Sequence, residues 1–152
     1  MPIHDQSYRR YGGEKIPHGR IWLVIAAAGI RIGLISNSHR CMASFQSHFE
    51  LDCLIAAALS SSEHGFLKPH PSIFSAVLQL LEVEPGDALM VGDSLKHDVE
   101  GAMRVGMRGV LLHRAGEHPS ARELAARGVP VIRSLAELPG LVLGESGNLQ
   151  AE

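Results

Sequence analysis

Short apolar runs alternate along the chain with longer segments whose apolar residues recur at helical spacing. Each short run has the length and the polar boundaries of a buried strand. The longer segments carry their apolar residues on one face, as in Pro71–Leu81, which predicts amphipathic helices. Strands that alternate with helices are typical of an α/β protein, in which a parallel sheet has helices on both faces. We therefore expect a three-layer, Rossmann-like fold.

The pattern assigns most of the chain to elements. Strands are predicted at Arg31–Ile35, Cys53–Ala58, Ala88–Val91, Gly109–Leu112 and Val129–Ile132. Helices are predicted at about His39–Phe49, at Pro71–Leu81, between Asp93 and about Val105, at Ser120–Arg127 and at Ser134–Leu138. The last two begin with the Ser-x-x-Glu spacing of a capping box.

Other segments are less regular. Gly19–Ala28 would suit a strand in its first half, but a helix is favoured because the next strand begins almost at once. Ser60–Gly65 is predicted as a loop. We expect a core domain over residues 18–141. Residues 1–17 lack periodicity and are expected to be a loop or the remnant of something larger, and residues 142–152 are expected to be a tail.

The composition is that of an ordinary globular protein. The 152 residues are 45% hydrophobic and 20% charged, and the formal charge of −2 gives no reason to expect nucleic acid or an anionic membrane as a partner. The N-terminus is polar, unlike a signal peptide, and Ile21–Ile30 is too short to span a bilayer. Cys41 and Cys53 match no metal or disulfide spacing, which predicts reduced thiols in the cytoplasm.

Two aspartates follow the strand predicted at Ala88–Val91. Asp93 comes directly after Gly92, and Asp98 lies five residues further on. Open α/β sheets bind their ligands beyond the carboxyl ends of the strands. Paired carboxylates there favour a hard divalent cation, most plausibly Mg²⁺. The alternative is a helix N-cap at Asp93 and a carboxylate at Asp98 that the helix dipole favours.

Polar residues also end the first strand and precede the helix at Pro71. Ser36 and Asn37 offer a hydroxyl, an amide and helix-opening N–H groups that can hold phosphate oxygens, or they are an ordinary N-cap. Lys68 stands before Pro69, which restricts its backbone to extended conformations. Its amine would bind a phosphoryl group beside the carboxylates, or it is a solvated loop lysine.

The order of these features is more specific than any one of them. The segments GLISNS (Gly33–Ser38), GFLKPHPSIF (Gly65–Phe74) and MVGDSLKHDVEGAMRVG (Met90–Gly106) resemble three motifs of the haloacid dehalogenase-like (HAD) hydrolases. The similarity is greatest to the phosphoglycolate-phosphatase and dehalogenase-like group. It extends from about Gly19 to Ala115, over most of the chain.

The resemblance implies a role for each matching residue. Ser36 would contact the substrate phosphoryl group with Asn37 beside it, and Lys68 would steady the nucleophile and the transferring group. Asp93 would be a Mg²⁺ ligand. Asp98 would support the metal or Lys68, which makes Lys68 and Asp98 the expected catalytic residues and Asp93 and Asp98 the expected metal ligands.

The first motif of that family, a strand ending in Asp-x-Asp, has no counterpart here. Asp5 is the sole aspartate before Ser36, and its segment Ile3–Ser7 has neither a preceding strand nor the second aspartate. The family reaction proceeds through an aspartyl-phosphate, which needs that carboxylate. The strand also lies at the centre of the family's sheet. We therefore expect a core that lacks its central strand and most of its cap.

Two functions follow from this expectation. The first is an N-terminally incomplete Mg²⁺-dependent phosphatase for a small phosphorylated substrate, inactive or impaired as an isolated chain. The second is a non-catalytic protein that binds phosphate and Mg²⁺, or that pairs as a homodimer or with a partner that supplies the strand. A receiver-like phosphoacceptor is a third interpretation, and the position of Lys68 before Gly92 and Asp93 argues against it.

Overall fold

The structure is a computed structural model that describes residues 27–144. The predictions for residues 1–17, for the segment around Asp5 and for nearly all of Gly19–Ala28 therefore lie outside the described residues. Of the predicted tail, residues 142–144 are among the described residues.

All five predicted strands are present, and no predicted end is displaced by more than two residues. They are β1 Ile32–Ser36, β2 Ile55–Ser60, β3 Leu89–Gly92, β4 Arg108–Leu112 and β5 Val131–Ile132. Every ladder between them is parallel. The prediction of a parallel α/β protein is confirmed.

The helices connect and cover these strands. They are α1 Met42–His48, α2 Ser61–His64, α3 Pro71–Leu81, α4 Glu100–Arg104, α5 Ala121–Ala126 and α6 Leu138–Leu143. A π-helical turn, Leu95–Val99, leads directly into α4. Single 3₁₀ turns occupy Pro85–Asp87 and Leu135–Glu137.

Several predicted element ends were wrong, each for a local reason. The loop predicted at Ser60–Gly65 contains α2, because the side chains of Ser60 and Glu63 cap each other's backbone N–H groups. Helix α1 begins at Met42 and not at His39. Ser120 forms no side-chain cap.

The C-terminal capping box was predicted correctly, whereas the helix after it is longer than expected. Ser134 and Glu137 form the reciprocal hydrogen bonds of the box. The helical backbone then continues through α6 to Leu143, beyond the predicted end at Leu138.

The strands form two sheets. One has the order β1-β2 and the other the order β3-β4-β5. In the part of the chain that the structure describes, no ladder joins β1 to β3. Each of these strands therefore has one edge without a strand partner there.

The two sheets nevertheless share their hydrophobic cores. On one face, Phe74 of α3 and Ala102 of α4 pack with Ile35 of β1 and Met90 of β3. On the other face lies a cluster built around α6, whose members include Ile32, Leu89, Val91 and Leu138. Because both clusters contain residues of β1 and of β3, the two sheets form one layer between helices, as a three-layer fold requires.

No helix within residues 27–144 combines the length and the hydropathy needed to cross a membrane.

Candidate functional site

Lys68 lies where the two sheets meet. Its side chain is buried, and the residue is only 9% exposed. The ammonium donates to the backbone carbonyl of Ile35 in β1 at 3.2 Å and forms an ion pair with Asp98 Oδ1 at 2.6 Å. The solvated-loop alternative for Lys68 is therefore wrong. The peptide bond between Lys68 and Pro69 is cis.

Asn37 holds the backbone of Lys68. The backbone N–H of Lys68 donates to Asn37 Oδ1 at 2.7 Å, and Asn37 Nδ2 donates to the Lys68 carbonyl at 3.0 Å. This pair of hydrogen bonds joins the loop before α3 to the end of β1. Contact of Asn37 with a substrate stays a prediction.

Asp98 is buried in the π-helical turn that follows β3. It is 5% exposed, and its Oδ2 accepts the backbone N–H of Ser94 at 3.1 Å. Its Oδ1 contacts the Lys68 ammonium without a well-aligned hydrogen bond and has no other donor among the described residues. A buried carboxylate is tolerated when a cation faces it. The burial of each charge, on Lys68 and on Asp98, thus depends on the presence of the other.

The turn itself brings Asp98 back to the strand end. The Ser94 carbonyl accepts the N–H groups of both Asp98 and Val99, at 2.9 and 3.3 Å, which widens the first turn. A β-carbon at Gly92 would overlap the Asp98 side chain. Only glycine at position 92 therefore allows this carboxylate to approach so closely. Such π-turns occur frequently at functional sites.

The side chains of Asp93 and Ser36 form no hydrogen bond or ion pair with a described residue. Asp93 is exposed, and its carboxylate has no ion pair or hydrogen bond to any described residue. Ser36 is half-buried at the end of β1, and its hydroxyl likewise has no hydrogen-bond partner within residues 27–144. Both groups are chemically available to a ligand at the carboxyl ends of the strands.

The described residues fit Mg²⁺ as an incomplete site. Asp93 offers a hard oxygen ligand, whereas both oxygens of Asp98 are already in contact, with Lys68 and with Ser94. No group of three or more His, Cys, Asp or Glu within residues 27–144 is arranged to hold a metal. Mg²⁺ is commonly bound by one or two carboxylates together with waters and phosphate oxygens. A cation here would need ligand or water oxygens to complete its shell.

Glu63 supports the loop between β1 and α1, which contains Asn37. Its carboxylate accepts from the backbone N–H and the hydroxyl of Ser60 and from the backbone N–H of Met42, where α1 begins. These hydrogen bonds, first of all the one from the Ser60 backbone, lower the pKa of Glu63. The neighbouring Ser61 hydroxyl and Ser62 N–H donate to the Ser38 carbonyl, which fixes the same loop.

The structure thus brings together most of the site residues that the sequence indicated. Asn37 and Asp98 each contact Lys68. Ser36 follows Ile35 in the sequence and Asp93 precedes Ser94, and Ile35 and Ser94 contribute backbone groups to the same network. The carbonyl of Ile35 and the N–H of Ser94 were not predicted from the sequence, because nearly every residue carries these groups. Glu63 was not predicted either, although the spacing from Ser60 to Glu63 was a usable signal.

The fold and the position of this network define the class of protein. It is a doubly wound α/β protein with polar and charged groups at the carboxyl ends of β1 and β3, where such folds bind their ligands. Comparison with known proteins gives the family. The HAD-hydrolase-like family model matches residues 66–138.

Similar proteins agree with the family model. The chain is 35% identical over 100 residues to the N-acylneuraminate-9-phosphatase of Mus musculus, covering 64% of this chain and 36% of that protein. It is 44% identical over 61 residues to the glyceraldehyde 3-phosphate phosphatase of Pyrococcus furiosus, covering 40% of this chain and 25% of that protein. A crystal structure of a HAD phosphatase from Thermococcus onnurineus matches with a TM-score of 0.71 at 28% identity, covering 84% of this chain and 57% of that one.

The chain belongs to the haloacid dehalogenase-like hydrolase superfamily. It spans about a third of the mouse relative and a quarter of the archaeal one.

Proposed function

We propose that the described residues form the phosphate-binding part of a Mg²⁺-dependent phosphatase site for a small phosphorylated metabolite. The observation that carries this proposal is the buried Lys68 ammonium, held between the Ile35 carbonyl and Asp98 at the carboxyl ends of the strands. The names of the mouse and archaeal relatives, both phosphatases, support this choice of reaction and of substrate class.

The available groups suit a phosphoryl group. A lysine ammonium has three N–H donors. That of Lys68 donates to the Ile35 carbonyl and lies 2.6 Å from Asp98 Oδ1. A remaining donor would serve a phosphoryl oxygen, and the free hydroxyl of Ser36 would donate to another. Catalysis of phosphoryl transfer depends mainly on positioning and on stabilising negative charge. Lys68 and Ser36 would do both.

Mg²⁺, when bound, would neutralise charge on the phosphoryl group. Asp93 is the ligand that the described residues leave free for it. Direct ligation by Asp98 would compete with its contacts to Lys68 and Ser94. Asp98 in this proposal acts chiefly on Lys68.

The nucleophile is proposed to come from outside residues 27–144. The family reaction needs a carboxylate nucleophile. The two carboxylates that follow β3 are the exposed Asp93, proposed here as a metal ligand, and Asp98, which is ion-paired with Lys68. The chain alone is therefore expected to bind phosphate with Mg²⁺ and to hydrolyse phosphate esters poorly or not at all.

Its free, exposed cysteines suit a reducing compartment, which supports a cytoplasmic site of action.

The test is phosphate binding by calorimetry in the presence of Mg²⁺. Replacing Lys68 by Ala should weaken the binding of inorganic phosphate about tenfold or more, since charge-assisted hydrogen bonds are the strong ones. Lys96→Ala is the matched control, because Lys96 is exposed. Removal of Mg²⁺ and Asp93→Ala should both weaken binding. Phosphate binding that is insensitive to Lys68, or no binding by the folded wild type, would contradict the proposal.

A second function is favoured by the divided sheet. We propose that the edges of β1 and β3 accept a strand from a partner, either another chain or a second copy of this one. The supporting observation is that, within residues 27–144, the two strands share core clusters on both faces but no ladder. Unpaired strand edges are templates for pairing.

Amide hydrogen exchange together with the mass in solution tests this second proposal. A dimer or complex in which the amides of β1 and β3 become protected together would support it. A concentration-independent monomer whose β1 and β3 amides stay unprotected at these edges in the presence of candidate partners would contradict it.

A further inference from the structure

The side chain of Asn37 is used in an unusual way for a residue at a ligand-binding edge. Both ends of its amide are directed at the backbone of one residue, Lys68, which lies 31 positions along the chain. The acceptor Oδ1 takes the Lys68 N–H at 2.7 Å, and the donor Nδ2 gives to the Lys68 carbonyl at 3.0 Å. The amide thereby pairs with Lys68 much as a neighbouring strand would.

The far end of Lys68 is held separately. Its ammonium contacts the Ile35 carbonyl at 3.2 Å and Asp98 at 2.6 Å. A lysine side chain is a flexible four-carbon stem, so fixing the ammonium alone leaves many paths back to the backbone. The backbone clamp by Asn37 removes that freedom. Asn37 and Ile35 stand two residues apart at the end of β1, so one strand end holds both ends of Lys68.

We propose that Asn37 is a positioning residue, which holds the backbone of Lys68 so that its ammonium lies between Ile35 and Asp98. Asn37 would thus act on any bound phosphate through Lys68. This effect on phosphate rests on the function proposed above, whereas the positioning of Lys68 can be measured without substrate.

The measurement is the acetylation rate of each lysine by a limiting amount of acetic anhydride, read by mass spectrometry. The sequence has three lysines, Lys15, Lys68 and Lys96, and the exposed Lys96 serves as the internal reference. In the wild type, the buried Lys68 should react slowly relative to Lys96. In Asn37→Ala, the relative rate at Lys68 should rise roughly tenfold, since two hydrogen bonds are lost.

Two further variants separate positioning from a general loosening of the loop. Ser61→Ala removes a hydrogen bond of 3.2 Å to the Ser38 carbonyl in the same loop without touching Lys68, so it should leave the Lys68 rate at the wild-type value. Asn37→Asp keeps an acceptor for the Lys68 N–H and should restore part of the protection. Asn37→Asp also replaces Asn37→Ala if the latter does not fold. In that case the relative acetylation rate of Lys68 in Asn37→Asp should be higher than in the wild type.

Each outcome decides the proposal. A rise in Lys68 reactivity in the Asn37 variants but not in Ser61→Ala supports it. An unchanged Lys68 rate in a folded Asn37 variant, or an equal rise in Ser61→Ala, would overturn it. Failure of phosphate binding in the wild type would count against the proposed function but would leave this result intact.

Discussion

At the scale of single residues, the site depends on one buried ion pair. Lys68 and Asp98 are 9% and 5% exposed, and each is the other's counter-charge. Removing one partner of such a pair leaves an uncompensated buried charge, which is far more harmful than the loss of the attraction itself. The pair therefore links the integrity of the site to the stability of the fold.

We expect Lys68→Met to lower the free energy of unfolding by about 3–5 kcal/mol, because Asp98 loses its counter-charge in the interior. Urea unfolding followed by circular dichroism measures this. Lys96→Met, at an exposed lysine, should change stability by about 0.5 kcal/mol or less. Equal stability of the two variants would show that the pair is not buried in solution.

At Gly92, the addition of a single β-carbon should affect the stability of the fold. In Gly92→Ala, the new methyl group would overlap the Asp98 side chain, so the strand end or the π-turn must shift. We expect a loss of about 1–3 kcal/mol, as for other overpacked positions.

Gly86→Ala is the matched control for Gly92→Ala, because a β-carbon at Gly86 meets no atom within 4 Å. It should be neutral or stabilising by up to about 1 kcal/mol. A Gly92→Ala protein as stable as Gly86→Ala would contradict the observed approach of Asp98.

At the scale of elements, short helices and turns are held by side-chain caps. Helix α2 is a single turn, too short to persist by itself. Its capping box with Ser60, together with the hydrogen bond that the Met42 N–H donates to Glu63, joins the end of β2 to the N-terminus of α1. The loop between β1 and α1, which contains Asn37, thus depends on a carboxylate that does not belong to the candidate site.

This dependence predicts an effect of pH. The folded pKa of Glu63 is lowered by its hydrogen bonds, so its contribution to stability is present above its unfolded pKa of about 4.3 and is lost as the pH falls through the folded value. Glu63→Gln should be less stable than wild type at pH 7, and the difference should narrow below about pH 4.3.

Unfolding curves over a series of pH values measure this difference. Glu84→Gln is the control, since the Glu84 side chain forms no hydrogen bond or ion pair with a described residue. A difference between Glu63→Gln and wild type that stays constant down to strongly acidic pH would be incompatible with the lowered pKa.

At the scale of the whole molecule, helix α3 holds the two sheets together. Phe74 is fully buried and packs in a cluster with Ile35 and Leu59 from one sheet and Met90 from the other. Gly101 allows α4 to approach Phe74, because a β-carbon there would lie within 3.0 Å of the Phe74 ring. Within residues 27–144, core packing therefore connects the two sheets, which share no ladder there.

Phe74→Ala should accordingly lower the free energy of unfolding by about 3–5 kcal/mol. Because Phe74 belongs to a cluster that takes residues from both sheets, hydrogen-exchange protection of β2 and of β4 should fall together. Leu80→Ala, on the same helix at a residue that is 59% exposed, should change little. Loss of protection in one sheet alone would show that the sheets are not coupled through α3.

The sequence by itself determined the class of fold, because strand and helix patterns depend on local hydrophobic spacing. All five strands and the long helix α3 were predicted for that reason. The order of Ser36, Lys68 and Asp93 indicated the family before any contact was known. The ends of short elements such as α1 and α2 were less predictable, since side-chain caps decide them.

Only the tertiary structure decided how the site is built. The clamp from Asn37 to Lys68 and the hydrogen bond from Lys68 to the Ile35 carbonyl join residues far apart in the sequence through backbone groups, which carry no sequence signal. The burial of Asp98 beside Lys68 depends on the packing of elements around them. Within residues 27–144, the absence of a ladder between β1 and β3 is likewise a matter of long-range pairing. Local pattern fixes which segments become strands, whereas the packing of the whole chain fixes which strands meet and which charges they enclose.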